Sequence, residues 1–206
     1  MPVLGAPGSG SGKTPTMADR PRIAPVTDPS PEAAALLARS PGGDRPLNIF
    51  ATLAHAPKML ESVQRMGGFL LSGKGIPPRE REIVILRVGW RAGSVYEFGQ
   101  HTVIGRAAGL TEEEIARLAD DRLDGWSEDD RALVALADDL HADDEVADAT
   151  WTTLAGRWNE TELVELLVLA GFYRLISGFL NSAGVELDPG TPGWPRREPP
   201  TPSGRG

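Results

Sequence analysis

The stretch Arg79-Glu-Arg-Glu-Ile-Val-Ile-Leu-Arg-Val-Gly-Trp-Arg-Ala-Gly-Ser-Val-Tyr-Glu-Phe-Gly-Gln-His101 decides the reading of this chain. Pro77-Pro78 opens a helical pattern that runs to about Ala92. Gly93 breaks it, and a second pattern runs from about Ser94 to Ala108, before Gly109. Two side chains do not suit the faces they occupy. Glu82 has Ile85, Leu86 and Gly89 as its neighbours one and two turns on, and His101 shares its face with Phe98, Ile104 and Ala108. A carboxylate on an apolar face is costly without a partner, because desolvation disfavours its charged form. A break at Gly93 folds the second helix back so that Glu82 faces His101, and a buried Glu beside a His is a common acid/base pair.

Outward from this stretch, nearly every segment after residue 30 has a helical period, and no alternating strand pattern competes. Ser30-Pro31-Glu32 starts a short helix with Ser as cap and Pro at its first position. Helices follow over 47–55 and 59–71. Thr111-Glu-Glu-Glu114, Ser127-Glu-Asp-Asp130 and Asn159-Glu-Thr-Glu162 start three more, with another over roughly 145–157. The helix after Asn159 is long and apolar through Leu180, with Gly171 and Gly178 expected to permit close packing. The fold class is all-α.

Residues 1–29 and 188–206 are rich in Gly, Pro, Ser and Thr and lack hydrophobic periodicity. Both read as disordered tails around one domain at 30–187. Within the leader, Gly8-Ser-Gly-Ser-Gly12-Lys13-Thr14 looks like a phosphate-binding loop, but that pattern needs Gly where Pro7 stands and a strand before it, so no nucleotide site is assigned. The net charge of −8 argues against a nucleic-acid surface, and Arg196 and Arg197 are only a short basic step in a Pro-rich tail. No apolar run is expected to span a membrane, and the N-terminus lacks the charged start and apolar middle of a signal peptide; the expected location is cytoplasmic. Absence of cysteine removes disulfides, thiolate nucleophiles and thiolate metal ligands together.

Ser94, Glu97 and His101, three and four residues apart, fall within a sector of about 60° on one helix. Each also has a structural reading. Ser94-Val-Tyr-Glu97 has the form of a capping box after Gly93. His101 reads alternatively as a satisfied core histidine, and Glu82 as a helix-start carboxylate near a positive dipole end. The conjunction of the groups favours chemistry. His55 and His141 end their helices, where a cation is favoured, and read as structural. Glu97 and His101 supply two metal ligands with no second pair, so no metal is expected.

On these residues the chain resembles the carboxymuconolactone decarboxylase and AhpD-like family over most of residues 45–187. The AhpD-type motif is a Glu, then twelve residues on a Cys-x-x-Cys, then three residues and a His. Here the Glu falls on Glu82, the cysteine positions on Ser94 and Glu97, and the His on His101. Tyr96-Glu-Phe-Gly-Gln-His101 resembles the Tyr-Glu-Trp-x-x-His of decarboxylase-like members. Arg106-Ala-Ala-Gly-Leu-Thr-Glu-Glu-Glu-Ile115, Gly171-Phe-Tyr-Arg174 and Gly178-Phe-Leu-Asn181 match as well. The resemblance implies an AhpD-like helical fold and a homo-oligomer, a trimer or hexamer. Its dithiol hydroperoxide chemistry is not implied, because the thiols are missing.

The expected function is a cofactor-free acid/base enzyme, of decarboxylase, isomerase or cyclase type, acting on a small organic acid, lactone or secondary metabolite. Glu82, Glu97 and His101 are the candidate catalytic residues; Ser94 and Tyr96 are the candidate substrate-binding residues. The alternative is a non-catalytic oligomeric or ligand-binding relative. A solvent-open pocket at the pair favours the enzyme, and a side-chain-filled site favours the alternative.

Overall fold

The computed structural model describes residues 21–120 and 124–195. The Gly8–Thr14 motif and Arg196 and Arg197 lie outside the described residues. Among the described residues there are nine helices and no strand: α1 Pro31–Leu37, α2 Asn48–Leu53, α3 Pro57–Ser72, α4 Pro78–Arg91, α5 Val95–Ala107, α6 Glu112–Leu118, α7 Glu128–Ala142, α8 Asp148–Arg157 and α9 Glu160–Ala183. The all-α class read from periodicity is the class observed.

Local chemistry sets the helix starts. Ser30 Oγ accepts from the Ala33 N–H at 3.2 Å, with Pro31 at the first position. Thr111 with Glu114, and Asn159 with Glu162, form reciprocal capping boxes. Ser127 Oγ accepts from Asp130 N–H to start α7. Gly184, at φ +67°, ends α9 in the left-handed conformation that glycine adopts without strain.

Helix α4 is the axis of the molecule. Ile83, Val84, Ile85 and Leu86 are all fully buried, so its whole circumference is covered, chiefly by α5, α7 and α9. After Ala92 the chain turns at Gly93, φ +63°, and α5 returns across α4. The crossing is close because glycines line it. A methyl group on Gly89 would sit 3.3 Å from the Phe98 nitrogen, and one on Gly105 3.3 Å from Leu86 Cδ1. This crossing carries Glu82 to His101. Two apolar clusters flank it. The larger joins α4, α6, α7 and most of α9; the smaller joins α1, α2 and α3 with Tyr96, Ile176 and Leu180.

Three expectations change. The segments at 21–29 and 188–195 have no helix, as their composition implies, but they are tied to the domain. Arg22 and Ile23 N–H groups both donate to Ala183 C=O, at 2.8 and 3.0 Å, and the His55 ring meets Ala24 C=O at 2.9 Å. Asp188 accepts from the Asn48 N–H, and Trp194 packs on Trp90 and Phe98 with ring centroids 5.2 and 5.1 Å apart. Both segments are held against the helices by single anchors, which periodicity cannot register. Second, Gly171 and Gly178 have nothing within 4 Å of a built methyl, so they do not mediate packing within the chain. Third, α9, with mean hydropathy 1.8 over its best window, is long and apolar enough to cross a membrane. Its 24 residues instead bury one face, Leu163, Leu166, Leu169, Tyr173, Ile176 and Leu180, in the protein core.

Candidate active site

The α4–α5 crossing buries Glu82 completely and leaves His101 about 5% exposed. His101 Nδ1 lies 2.6 Å from Glu82 Oε2, a direct hydrogen bond across the two helices. On the other side of the ring, Nε2 lies 3.1 Å from Glu97 Oε1, one turn earlier on α5. Both ring nitrogens therefore face carboxylates, and the three groups form a chain: Glu82, imidazole, Glu97. Burial alone would depress the His101 pKa, but the charges and hydrogen bonds of Glu82 and Glu97 outweigh it and push it up to about 10. The ring is an imidazolium at neutral pH, not the near-neutral base that a lone Glu–His pair suggests.

Arg81 completes the charge balance. Its side chain is buried, and its Nε lies 3.5 Å from Glu82 Oε1, within ion-pair range but without a hydrogen bond. Two cations thus face two carboxylates, which lowers the cost of burying the group. Arg81 Nε and Glu82 Oε1 remain orphaned buried polar atoms.

The chain of groups ends at a cavity. A half-open cleft of about 770 Å³ lies on the seam between the two apolar clusters, and both Glu97 and His101 line it. Its walls are mostly apolar: Leu36, Ile49 and Phe50 on one side, Phe172, Tyr173 and Ile176 of α9 on the other. Glu82 does not reach it. Glu97 is thus the carboxylate on the cavity side, and Glu82 the one that orients the imidazole from behind. An apolar cleft with a few convergent polar groups is the usual form of a small-molecule site.

The two expected binding residues sit differently. The Tyr96 ring lines the cleft, but its hydroxyl is already committed: it accepts from the Ile49 N–H at 3.2 Å and donates to Asp188 Oδ2 at 2.5 Å. Ser94 is fully buried, lies outside the cavity wall, and its hydroxyl has no partner. The capping box read from Ser94 and Glu97 does not form, since no side-chain bond caps α5. Its would-be carboxylate is turned onto His101 instead.

Sequence reasoning missed Arg81 and Tyr173. The Tyr173 ring meets the His101 ring edge-on, centroids 4.9 Å apart, and forms part of the cavity wall. Among the described residues, no three His, Asp or Glu side chains have metal-binding geometry. Glu82 and Glu97 engage opposite ring nitrogens, so they share no point where an ion could sit.

Residues 57–139 match the model of the carboxymuconolactone decarboxylase family, and the fold is AhpD-like, as the resemblance of Glu82 through His101 implied. An uncharacterized peroxidase-related protein from Silicibacter has a TM-score of 0.70 at 18% identity, covering 92% of this chain and 100% of its own. The alkylhydroperoxidase AhpD core protein from Ralstonia eutropha has a TM-score of 0.67 at 21% identity, covering 81% and 93%. The debrominase Bmp8, in complex with 2,3,4-tribromopyrrole, has a TM-score of 0.69 at 13% identity, covering 81% and 91%. Among curated proteins, none matches the sequence. This chain contains no cysteine, so it lacks the thiols that dithiol peroxidase chemistry requires.

Proposed function

We propose that this protein is a cofactor-free acid/base enzyme that moves a proton on carbon next to a carbonyl in a small organic acid, lactone or secondary metabolite, a step shared by decarboxylases, isomerases and cyclases. The observation that carries this reading is the chain from Glu82 through His101 to Glu97, ending at a cleft of about 770 Å³. In this reading Glu97 takes the proton from the substrate C–H. The electron pair of that bond moves into the carbonyl and leaves an enolate oxygen. Once protonated, Glu97 no longer holds the Nε2–H of His101, which turns its hydrogen bond to the new oxyanion. Glu82 keeps the imidazolium charged and oriented throughout. Return of the proton from Glu97 to a different carbon gives isomerisation. In a β-oxo acid the C–CO2 bond breaks instead of the C–H bond, and its electron pair forms the same enolate as carbon dioxide leaves. A Glu97 that enters that step protonated delivers its proton to that carbon, which gives decarboxylation.

Bmp8, of the same fold and solved with a small brominated pyrrole, supports the idea that this scaffold accommodates a small planar molecule. The deciding test is exchange of substrate C–H for deuterium, followed by NMR over a library of oxo-acids and lactones. Wild-type protein is expected to exchange at least one compound, and Glu97→Gln to abolish that exchange. No exchange from any compound would end the catalytic reading.

A second reading has one observation in its favour. Both nitrogens of His101 are occupied by carboxylates, which suits a structural ion cluster under a binding cleft. Ligand binding unchanged by His101→Ala, without turnover, would favour it.

We also propose a homo-oligomer, a trimer or hexamer. Val164, Val168, Gly171, Leu175 and Gly178 form one stripe along α9, with Val164 60% and Leu175 61% exposed, an apolar face that a second copy would cover. Light scattering showing a monomer at micromolar concentration would contradict this.

A further inference from the structure

Tyr173 is a polar side chain of the cleft, packed against His101, that the proton-transfer scheme leaves unused. It is 4% exposed, yet its hydroxyl makes no hydrogen bond to any described residue. The contrast with Tyr96 is direct, since that phenol has both a donor and an acceptor in the protein. The phenol oxygen is not one of the fully buried polar atoms that lack a partner, so although the ring is buried the hydroxyl reaches the open side of the cleft, where it can donate to a ligand. The ring is positioned from two sides, edge-on against His101 at 4.9 Å and against Phe172 at 5.4 Å, so its orientation does not depend on the missing bond. Burial raises the phenol pKa, and the charges of Glu97 and Glu82 raise it further, so the group stays neutral and keeps its proton to donate.

We propose that Tyr173 O–H and the His101 imidazolium form a two-donor oxyanion site in the cleft, built for a planar apolar molecule carrying an enolate or phenolate oxygen. The inference rests on the acid/base reading above and names its ligand class. No bond other than hydrogen bonds forms: the phenol donates to the oxyanion, and the imidazolium supplies the second donor and the compensating charge. An oxyanion is what the removal of a proton by Glu97 generates, so the donor is preorganised where charge develops. Tyr96 cannot take this role because its proton is already given to Asp188.

The test uses the full chain and 4-nitrophenol, whose phenolate form is yellow, buffered below the pKa of the free phenol. Wild-type protein is expected to bind it and draw it toward the phenolate: the phenol proton passes to Glu97, which releases the His101 Nε2–H, and the imidazolium and Tyr173 then both donate to the anion. Tyr173→Phe is expected to weaken phenolate binding about tenfold or more, the usual scale for one hydrogen bond to a charged group. The same variant should bind uncharged 4-nitroanisole as wild type does, since the apolar walls are untouched. His101→Gln should lose the yellow shift as well. If Tyr173→Phe keeps the full shift while His101→Gln loses it, the Tyr173 assignment is overturned and the acid/base reading stands. If His101→Gln keeps the shift and Tyr173→Phe loses it, the phenol is the donor and the imidazolium is not. If wild type shows no shift, the oxyanion site falls together with the reading beneath it.

Discussion

Helix α4 buries two sets of charges, and the two differ in how completely they are satisfied. Arg87, fully buried, gives Nε and one terminal nitrogen to the Asp138 carboxylate at 2.6 and 2.7 Å, and its other terminal nitrogen to the C=O groups of Leu118 and Asp120. Arg91 binds the same carboxylate from one turn on. Every nitrogen of Arg87 has a partner, and the bonds tie α4 to α7 and to the end of α6. The Glu82–His101 set, near the start of the same helix, leaves Arg81 Nε and Glu82 Oε1 orphaned and opens onto a cleft. A buried network that is complete holds a fold together; one whose outer members, His101 and Glu97, line a cavity can exchange a hydrogen bond with a ligand there. Burial alone does not separate these roles, since Arg87 and Glu82 are equally hidden.

The comparison breaks first on stability. Arg87→Met should cost about 3–5 kcal/mol, the usual penalty for leaving a buried charge network half-made, and a large share of a domain's total stability. Urea unfolding monitored by circular dichroism checks it. A cost below about 1 kcal/mol would mean that the Arg87 network is not the structural member of the pair.

The second comparison is in activity. Glu97→Gln and Glu82→Gln should each lower turnover of whatever substrate exchanges by about 10²-fold or more, while the helical signal persists. The double variant should be little worse than either single one, because groups acting as one chain do not add. An additive double loss would show that the two carboxylates work independently.

The pH dependence of stability separates the clusters without a substrate. His101 has a raised folded pKa, about 10 against an ordinary 6.5, so its stabilisation is fully present below the ordinary value and is lost as pH rises through 10. Asp138 runs the other way. Burial alone would raise its pKa, but Arg91 and Arg87 outweigh it and hold it below the ordinary 3.8, so its stabilisation is present above that value and is lost as pH falls through the depressed one. His101→Gln should flatten the alkaline arm of a melting-temperature profile and leave the acid arm in place. Movement of both arms together would mean that the two clusters are coupled through α4.

Part of this was legible in the sequence, for a definite reason. Glu82 and His101 declared themselves because charge on an apolar helix face has to be satisfied somewhere, and Gly93 marked the only turn that would bring them together. Arg81 was hidden in the run Arg79-Glu-Arg-Glu82, where alternating charges read as a solvated helix start. Tyr173 is hidden in an apolar run, where an aromatic at helical spacing reads as core, although the segment Gly171–Arg174 resembles the family. The cleft itself joins α1, α2 and α3 to α5 and α9, a long-range arrangement with no local pattern. The tethered segments 21–29 and 188–195 escaped for the same reason.

The smallest expected effect lies at Ser94, where the sequence and the structure give opposite signs. The pattern Ser94-Val-Tyr-Glu97 reads as a capping box, and loss of such a cap costs roughly 1 kcal/mol. In the structure the hydroxyl caps nothing, has no partner, and is fully buried, while the Glu97 carboxylate serves His101. Removing an unsatisfied buried hydroxyl takes away a desolvation penalty and no bond. Ser94→Ala should therefore be neutral or stabilise the protein by up to about 1 kcal/mol in urea unfolding. Since Ser94 also lies outside the cavity wall, phenolate binding in the cleft should be unchanged. A loss of roughly 1 kcal/mol would restore the cap, and with it a Glu97 turned toward its own helix end. That outcome would remove the cavity-side carboxylate from the proton-transfer chain, leaving His101 and Glu82 as a pair no more open to ligand than Arg87 and Asp138.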